Sequence, residues 1–518
     1  MKKRIVILMV AGSFLLALAC NGKKNGGTTP GGGDGAGGDG AGAGGSVFAK
    51  KKEKKLSTKA KRAFKKVEQD VKAVLQEAKS RGGKWTSSDC EKVADAFEKV
   101  ARQVSGEKIA VARARFNQGV AYSKCMMDAR ARSAYRSALN AVPNYAPAKV
   151  NLAEMAARSG NHGAAYQTFL QAFLARPQNI DANYNLAVIF ERKARKGEPA
   201  PEVLKRFWRR LKFESRTSFD IAEAHLRMVL ARASAGKDLR SAVLNLKAYT
   251  LLSLLYFQQS KKRKHRSKLM LAKLVLKEAL KVFKKPVVKG KYCKTPETPS
   301  DFDLAAAQLR NLTGLLLLRD KRLVEAMYRF EAALKCDANN IESHMNRAAI
   351  ALGFRGYKIA HVSFTRVLKQ QPKRVDAIVG LGVALRGLAS TVAPMRRDEF
   401  YNKAIAQYKK ALSINPNYTD AIYNMGHLYM DYMNDKDKAE KWYKEYLTKP
   451  RKFTSRRARK EAKEQLSEIA YQRKVEAKMK TMELDAKRRR EEQRRRDAAM
   501  TRPMTAPKGM GGARPGGM

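Results

Sequence analysis

The stretch FNQGVAYSKCMMDARARSAYRSALNAVP, residues 116–143, decides the fold. Its apolar residues recur every three or four positions, which predicts helix rather than strand. The small residue Gly119 would let two antiparallel helices approach closely, and the ring of Tyr135 would fill the space between successive hairpins. Pro143 would end the second helix. The stretch therefore predicts one hairpin of two helices.

The same pattern returns after 34 residues and again later in the chain. The small position of the pattern is occupied by Gly119, Ala153, Gly382 and Gly426. The aromatic position is occupied by Tyr135, Phe169, Phe364, Tyr408 and Tyr443. The proline that closes the pattern is Pro143, Pro177, Pro372 or Pro416. This period, with its alternation of small and large residues, resembles the tetratricopeptide repeat (TPR). The resemblance implies an all-α fold in which antiparallel helix hairpins stack into a right-handed superhelical solenoid.

The pattern and its interruptions divide the chain into eight segments. We predict a lipoprotein signal peptide at 1–19, a Gly-rich disordered tether at 20–49, an N-terminal helical hairpin at 50–111, a first TPR block at 112–194, degenerate helical repeats with a basic loop and a Pro-rich connector at 195–306, a second TPR block at 307–450, a basic charged helix at 451–500 and a disordered tail at 501–518. Within the degenerate segment we expect helices at 219–235, 239–258 and 264–284.

The N-terminus has the features of a bacterial export signal. Three basic residues precede the apolar run from Ile5 to Ala19, which is shorter than the about 20 residues that a membrane span needs. The "ALAC" that ends it resembles a lipobox, which implies that Cys20 is lipidated and becomes the first mature residue. Ala17 departs from the Leu that is usual there, and ordinary secretory cleavage would instead leave Cys20 as a thiol. By the same resemblance, Asn21 implies sorting to the outer membrane, facing the periplasm.

The net charge of +58 predicts affinity for polyanions. Most of the excess lies outside the tail, because residues 451–518 hold only 21 of the 106 Lys and Arg. Basic runs occur at 261–268, 451–460 and 487–496. We expect these runs to be mostly solvated faces of helices. If one of them binds a ligand, the export signal points to anionic lipid, lipopolysaccharide or peptidoglycan-associated groups rather than nucleic acid.

No catalytic or metal-binding constellation is recognisable. The sequence lacks a phosphate-binding loop, an HExxH motif and a CxxC motif, and its six His residues are scattered. His344 and His361 could approach each other across one hairpin, but neither has a ligand partner at a suitable spacing. We therefore expect no enzymatic activity, no cofactor and no metal site.

The cysteines that remain if Cys20 is acylated could form disulfides in an oxidising compartment. Cys90 and Cys125 lie at almost equal distances from a turn near Gly106, so they face each other as a disulfide or as two buried thiols. Cys293 and Cys336 form a second candidate pair, since the chain from Cys293 enters the repeat that Cys336 ends.

The TPR resemblance also implies a peptide-binding groove. The sixth position of the repeat, which faces the groove in the family, carries Asn117, Asn151, Asn185, Asn346 and Asn424. An amide side chain could pair with the backbone of an extended peptide, although Asn is also common at this position whatever is bound. The neighbouring fifth position, which could supply apolar pockets, carries Phe116, Tyr184, Met345 and Tyr423.

These features favour a non-enzymatic scaffold lipoprotein that binds other envelope proteins. Its build resembles the TPR lipoproteins of type IV pilus assembly, of outer-membrane protein insertion and, most closely, of myxobacterial adventurous gliding motility. One alternative is a polyanion-binding adaptor that acts through its basic tail. Another is an enzyme with a site in the irregular segment 195–305, against which the lack of a nucleophile motif or paired acids argues.

Overall fold

The computed structural model describes residues 56–81, 85–213, 216–234, 236, 238–260, 266–288, 293 and 299–500. Within these residues all regular structure is helical, which confirms the predicted all-α fold of helix hairpins. The α-helices are α1 (Thr58–Ser80), α2 (Ser87–Gln103), α3 (Lys108–Lys124), α4 (Asp128–Ala141), α5 (Ala146–Arg158), α6 (His162–Ala175), α7 (Ile180–Lys196), α8 (Glu202–Arg210), α9 (Ser218–Ala233), α10 (Leu239–Gln259), α11 (Lys268–Lys281), α12 (Asp301–Arg319), α13 (Leu323–Cys336), α14 (Ile341–Gly353), α15 (Tyr357–Gln370), α16 (Val375–Leu388), α17 (Arg397–Ile414), α18 (Thr419–Asp431), α19 (Lys436–Thr448) and α20 (Arg456–Met500).

Several predicted segments lie outside the described residues. They are the signal peptide at 1–19 with Cys20 directly after it, the tether at 20–49, residues 261–265 of the basic loop, most of the Pro-rich connector and the tail at 501–518. Among the helices built from the described residues, none combines the length and the hydropathy of a membrane span.

The chain divides into two compact units, with the boundary between Ser343 and His344. In unit 1, the first helices of the hairpins are α3, α5, α7, α10 and α12. In unit 2, α16 pairs with α17 and α18 pairs with α19. Short 3-10 turns at Ala389–Thr391 and Pro394–Arg396 hold extra residues between α16 and α17.

An aromatic ring lies against a bare glycine in several hairpins. A Cβ added to Gly119 would lie 2.6 Å from the Tyr135 ring, and one added to Gly314 would lie 2.5 Å from the Phe330 ring. These rings therefore fill space within their own hairpin, and not only between successive hairpins as the sequence suggested. The hairpins of unit 2 repeat the arrangement in Gly382 with Tyr408 and in Gly426 with Tyr443.

The third hairpin is interrupted by a short extra helix. Helix α7 pairs with α9, so 219–235 completes the third repeat and does not begin a degenerate hairpin. The inserted α8 is anchored by Trp208, whose side chain is fully buried and lies 5.7 Å from the Phe173 ring, centroid to centroid. A hydrophobic core that runs from α5 to α13 includes Trp208, so the insertion belongs to the core of unit 1.

A buried histidine joins the inserted helix to the hairpin. The His225 ring lies 4.8 Å from the Trp208 ring, and its Nδ1 lies 2.8 Å from Asn183 Oδ1. The amide nitrogen of Asn183 already donates to the carbonyls of Pro177 and Asn179, so its oxygen must accept the proton on His225 Nδ1. Burial lowers the pKa of His225 to about 3, and the imidazole is therefore neutral.

The last helix, α20, has two parts. Its first part buries Ala462 and Ile469, which belong to the same core as α19. Arg473 then forms ion pairs with Asp437 and Glu440 of α19. Between 477 and 497 every side chain is exposed, so this part of the helix extends into solvent.

The contact between Gly382 and Tyr408 predicts that Gly382→Ala destabilises unit 2 by about 1–3 kcal/mol, because the new methyl group overpacks the ring. The matched control is Gly163→Ala in α6, where an added Cβ meets nothing within 4 Å. Thermal unfolding followed by circular dichroism would measure both. Equal melting temperatures for the two variants would contradict the interpretation of the glycine as a packing requirement.

Candidate protein-binding surface

Polar side chains connect the first helices of successive hairpins in unit 1. Asn185 of α7 donates its amide to Glu154 Oε1 of α5, at 3.3 Å. Arg240 of α10 reaches back to Asp181 of α7 at 3.0 Å. Lys247 of α10 lies 3.7 Å from Asp301 of α12. We call these cross-helix pairs the polar row; they align one helix with the next along the array.

The asparagines predicted to read a peptide are largely engaged within the chain. The amide nitrogens of Asn185 and Asn424 donate to the carbonyls of Asp181 and Asp420, one turn earlier, at 3.0 and 2.8 Å. The amide of Asn151 donates to the Tyr135 hydroxyl at 2.8 Å. The bond of Asn151 joins α5 to α4, whereas those of Asn185 and Asn424 lie within their own helices.

Asn117 does not face an open groove. Its side chain is fully buried, and α3 packs against both α2 and α4. Asn346 is half-buried on α14. The helices around Asn117 pack more completely than the repeat pattern implies.

Three of the four predicted pocket residues belong to the packing of the fold. Phe116 and Tyr184 are buried core residues. Tyr423 packs against Tyr446, with the ring centroids 5.3 Å apart. Met345 is half-buried on a first helix, α14.

Glu154 is the most electrostatically perturbed carboxyl group of the polar row. Burial, together with the nearby Asp181 carboxylate, raises its pKa to about 8. The Asn185 hydrogen bond, Arg158 and Lys247 act in the opposite direction but do not outweigh burial. At neutral pH the group is therefore mostly protonated, so it adds a hydrogen-bonding group but little charge to this surface.

The corresponding surface of unit 2 is built around an arginine. Nη1 of Arg386 in α16 donates to Asn424 Oδ1 at 3.2 Å, and its guanidinium carbon lies 5.1 Å from the centre of the Tyr432 ring. One turn beyond Asn424, His427 pairs with Asp431 on the same helix. Sequence reasoning missed Glu154 and Arg386, because nothing in the repeat pattern marks which charged residue a neighbouring helix will cover.

Both candidate cysteine pairs are joined in the structure. Cys90 of α2 is bonded to Cys125, directly after α3, with an S–S distance of 2.03 Å. Cys293 is bonded to Cys336 at the end of α13, with an S–S distance of 1.97 Å. Both bridges lie in unit 1, and each closes a loop around helices that already pack together.

No group of three or more His, Cys, Asp or Glu is arranged to hold a metal ion within the part of the chain that the structure describes. His344 is buried and His361 is half-buried in unit 2.

Comparison with known proteins identifies one element of the array. Residues 400–431 match the family model described as TPR repeat. This part of the chain is similar to a TPR repeat. The matched residues cover most of α17 and all of α18, which are the second helix of one hairpin and the first helix of the next. No curated protein matches the chain.

Solved structures with a similar arrangement of helices come from several sources. PilF of Pseudomonas aeruginosa is 14% identical, with a TM-score of 0.34, over 51% of this chain and 94% of that one. MamA of Desulfovibrio magneticus RS-1 is 19% identical, with a TM-score of 0.28, over 39% and 97%. Human IFIT1, in a dimer with m7Gppp-AAAA, is 11% identical, with a TM-score of 0.41, over 81% and 83%.

The raised pKa of Glu154 predicts that Glu154→Gln stabilises the protein above neutral pH. The folded chain holds a proton on Glu154 that the unfolded chain loses near the ordinary value of 4.5, so this residue lowers stability progressively from pH 4.5 to about 8. A glutamine side chain does not titrate, so the variant does not lose stability in this way as the pH rises. The difference in melting temperature between variant and wild type should therefore be small at pH 4.5 and largest at pH 8.5.

Differential scanning calorimetry at closely spaced pH values would measure this difference. The control is Glu77→Gln, which changes an exposed carboxyl group on α1. A Glu154→Gln difference that stays constant with pH, like that of a generic charge removal, would contradict the assignment.

Proposed function

We propose that this protein is a non-enzymatic scaffold of the bacterial cell envelope, held at the membrane by a lipid on Cys20, which binds other proteins along the first helices of its hairpins. The main support for this proposal is the surface that the first helices form together. Stacked hairpins present their first helices side by side, and such arrays use this extended surface for partners. TPR folds generally bind proteins in this way.

The polar row supports this use of the surface. Its cross-helix pairs keep the first helices in register without filling the surface with apolar side chains. Val188, which lies about one turn after Asn185 on α7, is half-buried and would contact a partner bound along this surface. The surface is thus rigid, mixed in character and suited to a long segment of protein rather than to a small molecule.

The two disulfides support an exported location. Disulfides persist in oxidising compartments such as the periplasm and are rare in the cytosol. The bridges between Cys90 and Cys125 and between Cys293 and Cys336 therefore fit a chain that leaves the cytoplasm. Together with the "ALAC" sequence before Cys20, they favour a lipoprotein that faces the periplasm, sorted to the outer membrane.

Within this class, the Gly-rich tether, the long array and the basic tail favour a protein of the adventurous gliding motility type. Pilus assembly and outer-membrane protein insertion are the alternatives.

A distinct second candidate, a polyanion-binding adaptor, is favoured by the exposed part of α20, where 487–496 holds seven Lys or Arg and two Glu. A deletion that tests it should begin after residue 476, because the first part of α20 covers the core of unit 2.

Lipidation predicts that wild-type protein, expressed in a bacterium that processes lipoproteins, incorporates an alkyne-labelled fatty acid and partitions into detergent. Cys20→Ser should lose both properties. Ala17→Leu, which restores the usual lipobox residue, is the matched control and should be labelled at least as well as wild type. Labelling that persists in Cys20→Ser, or a mature chain that begins elsewhere by mass spectrometry, would refute the anchor.

Partner binding along the first helices predicts that Val188→Glu on α7 loses most envelope partners captured by crosslinking and quantitative mass spectrometry. Leu174→Glu, on the exposed side of the second helix α6, should keep them. Both variants must first show wild-type melting temperatures. If the two variants retain partners equally, the first helices are not the binding surface.

A further inference from the structure

An exposed stripe of apolar side chains runs along the second part of α20. Val475, Met479 and Met482 are 42%, 63% and 59% exposed, and Ala486 is exposed after them. These four residues, which we call the apolar stripe, follow one another at intervals of four, three and four positions. That spacing places them on one side of the helix, with Met479 and Ala486 at the a positions and Val475 and Met482 at the d positions of a coiled coil.

The apolar stripe faces away from the core of unit 2. Ile469 is buried in that core, and Arg473 forms ion pairs with α19. Val475 follows Arg473 by two residues, which turns it by about 200° around the helix axis. Another molecule can therefore lie along the stripe while the opposite side of α20 stays packed on α19.

This part of α20 lacks the support that holds most helices in proteins. Helical stability comes largely from packing of an apolar face, because an isolated helix is only marginally stable in water. Every side chain of 477–497 is exposed, so the described part of the chain does not supply that packing. A second helix along the apolar stripe would supply it.

The charges beside the apolar stripe are complementary to a second copy of the same helix in parallel orientation. Lys478 and Asp485 occupy the g positions, and Glu483 and Arg490 occupy the e positions. In a parallel coiled coil, each g residue faces the e residue that lies five positions later on the other helix. Lys478 would therefore face Glu483 of the second copy, and Asp485 would face Arg490. Both pairs are opposite in charge, and the symmetry of the dimer forms each of them twice.

An antiparallel pair of these helices fits the charges less well. With the same apolar residues in contact, Lys478 would face Asp485, but Glu476 would face Glu483. The repulsion between the two glutamates opposes the attraction between the lysine and the aspartate. The charge pattern therefore favours the parallel orientation.

We propose that a second copy of this chain binds along the apolar stripe, so that two α20 helices form a short parallel coiled coil. The stripe lies between two polar positions of the same heptad pattern, Gln472 at a and Arg489 at d. It spans about two heptads, whereas a sustained coiled coil has three or four. The dimer is therefore weak and forms as the protein concentration rises. The inference goes beyond the proposed function, because it concerns a surface of α20 and not the first helices of the hairpins.

The test measures the molar mass of the full chain carrying Cys20→Ser by sedimentation equilibrium over a wide range of protein concentrations. This chain should pass reversibly from monomer to dimer. Met482→Asp should stay monomeric, because it places a carboxylate in the apolar stripe. Leu484→Asp is the matched control and should dimerise like the parent chain, because Leu484 is an exposed apolar residue on the opposite side of the same helix. Circular dichroism must show equal helix content in both variants.

Charge reversal and crosslinking test the orientation of the two helices. Lys478→Glu should weaken dimerisation about tenfold, because two attractive pairs become repulsive. Adding Glu483→Lys to that variant should restore dimerisation, since the pairs return with their signs exchanged. Under mild oxidation, Met482→Cys should form a disulfide with its own copy, whereas Leu484→Cys should not.

A chain that stays monomeric at every concentration, or equal dimerisation of Met482→Asp and Leu484→Asp, would overturn the inference. So would a disulfide that forms in a mixture of Met479→Cys and Met482→Cys but not in Met482→Cys alone, because it shows antiparallel helices. These results are separate from the test of the proposed function. Partner capture by a chain that never dimerises would keep the scaffold and reject the coiled coil, and dimerisation without partner capture would do the reverse.

Discussion

The array depends on the contact between an aromatic ring and a glycine that has no Cβ. The ring follows the glycine by 16 residues in the pairs at 119 and 314, and by 17 in the pair at 426. In the pair at 382 the separation is 26 residues, and the 3-10 turns between α16 and α17 take up the difference. The same contact between ring and glycine therefore forms in each pair, although the connection between the two helices differs in length. Interiors pack as densely as organic crystals, so a missing methyl group can set the distance between two helices.

The repeat pattern predicted the fold well, because the contact on which it depends is local in sequence. It failed at the third hairpin, since the pattern cannot show that α9, rather than the nearer α8, would pair with α7. What places α8 is the buried cluster of Trp208 and His225, which consists of contacts between residues distant in sequence. The cysteine pairs could be named because each lies in or beside a single hairpin, although the sequence alone left thiols and disulfides equally open.

The candidate site was harder to predict than the fold. A repeat position tells which way a side chain points, but not what lies opposite it. Asn185 and Asn424 connect adjacent first helices through their hydrogen bonds with Glu154 and Arg386. The raised pKa of Glu154 and the burial of Arg386 depend on neighbouring helices, and no periodicity in the sequence records either. On this surface, amide side chains therefore connect adjacent first helices, and a few charged groups lie among them.

The bridge between Cys90 and Cys125 also affects how the chain would respond to a pulling force. The bridge spans 35 positions, which include most of α2 and all of α3. A load applied from the N-terminal side would peel away α1 and then pass directly from one cysteine to the other. The residues between the two cysteines would carry no tension. The pulled chain would therefore extend by on the order of 120 Å less than it would without the bridge. The segment that contains α3 would therefore not be stretched by a load that has already straightened the chain before Cys90.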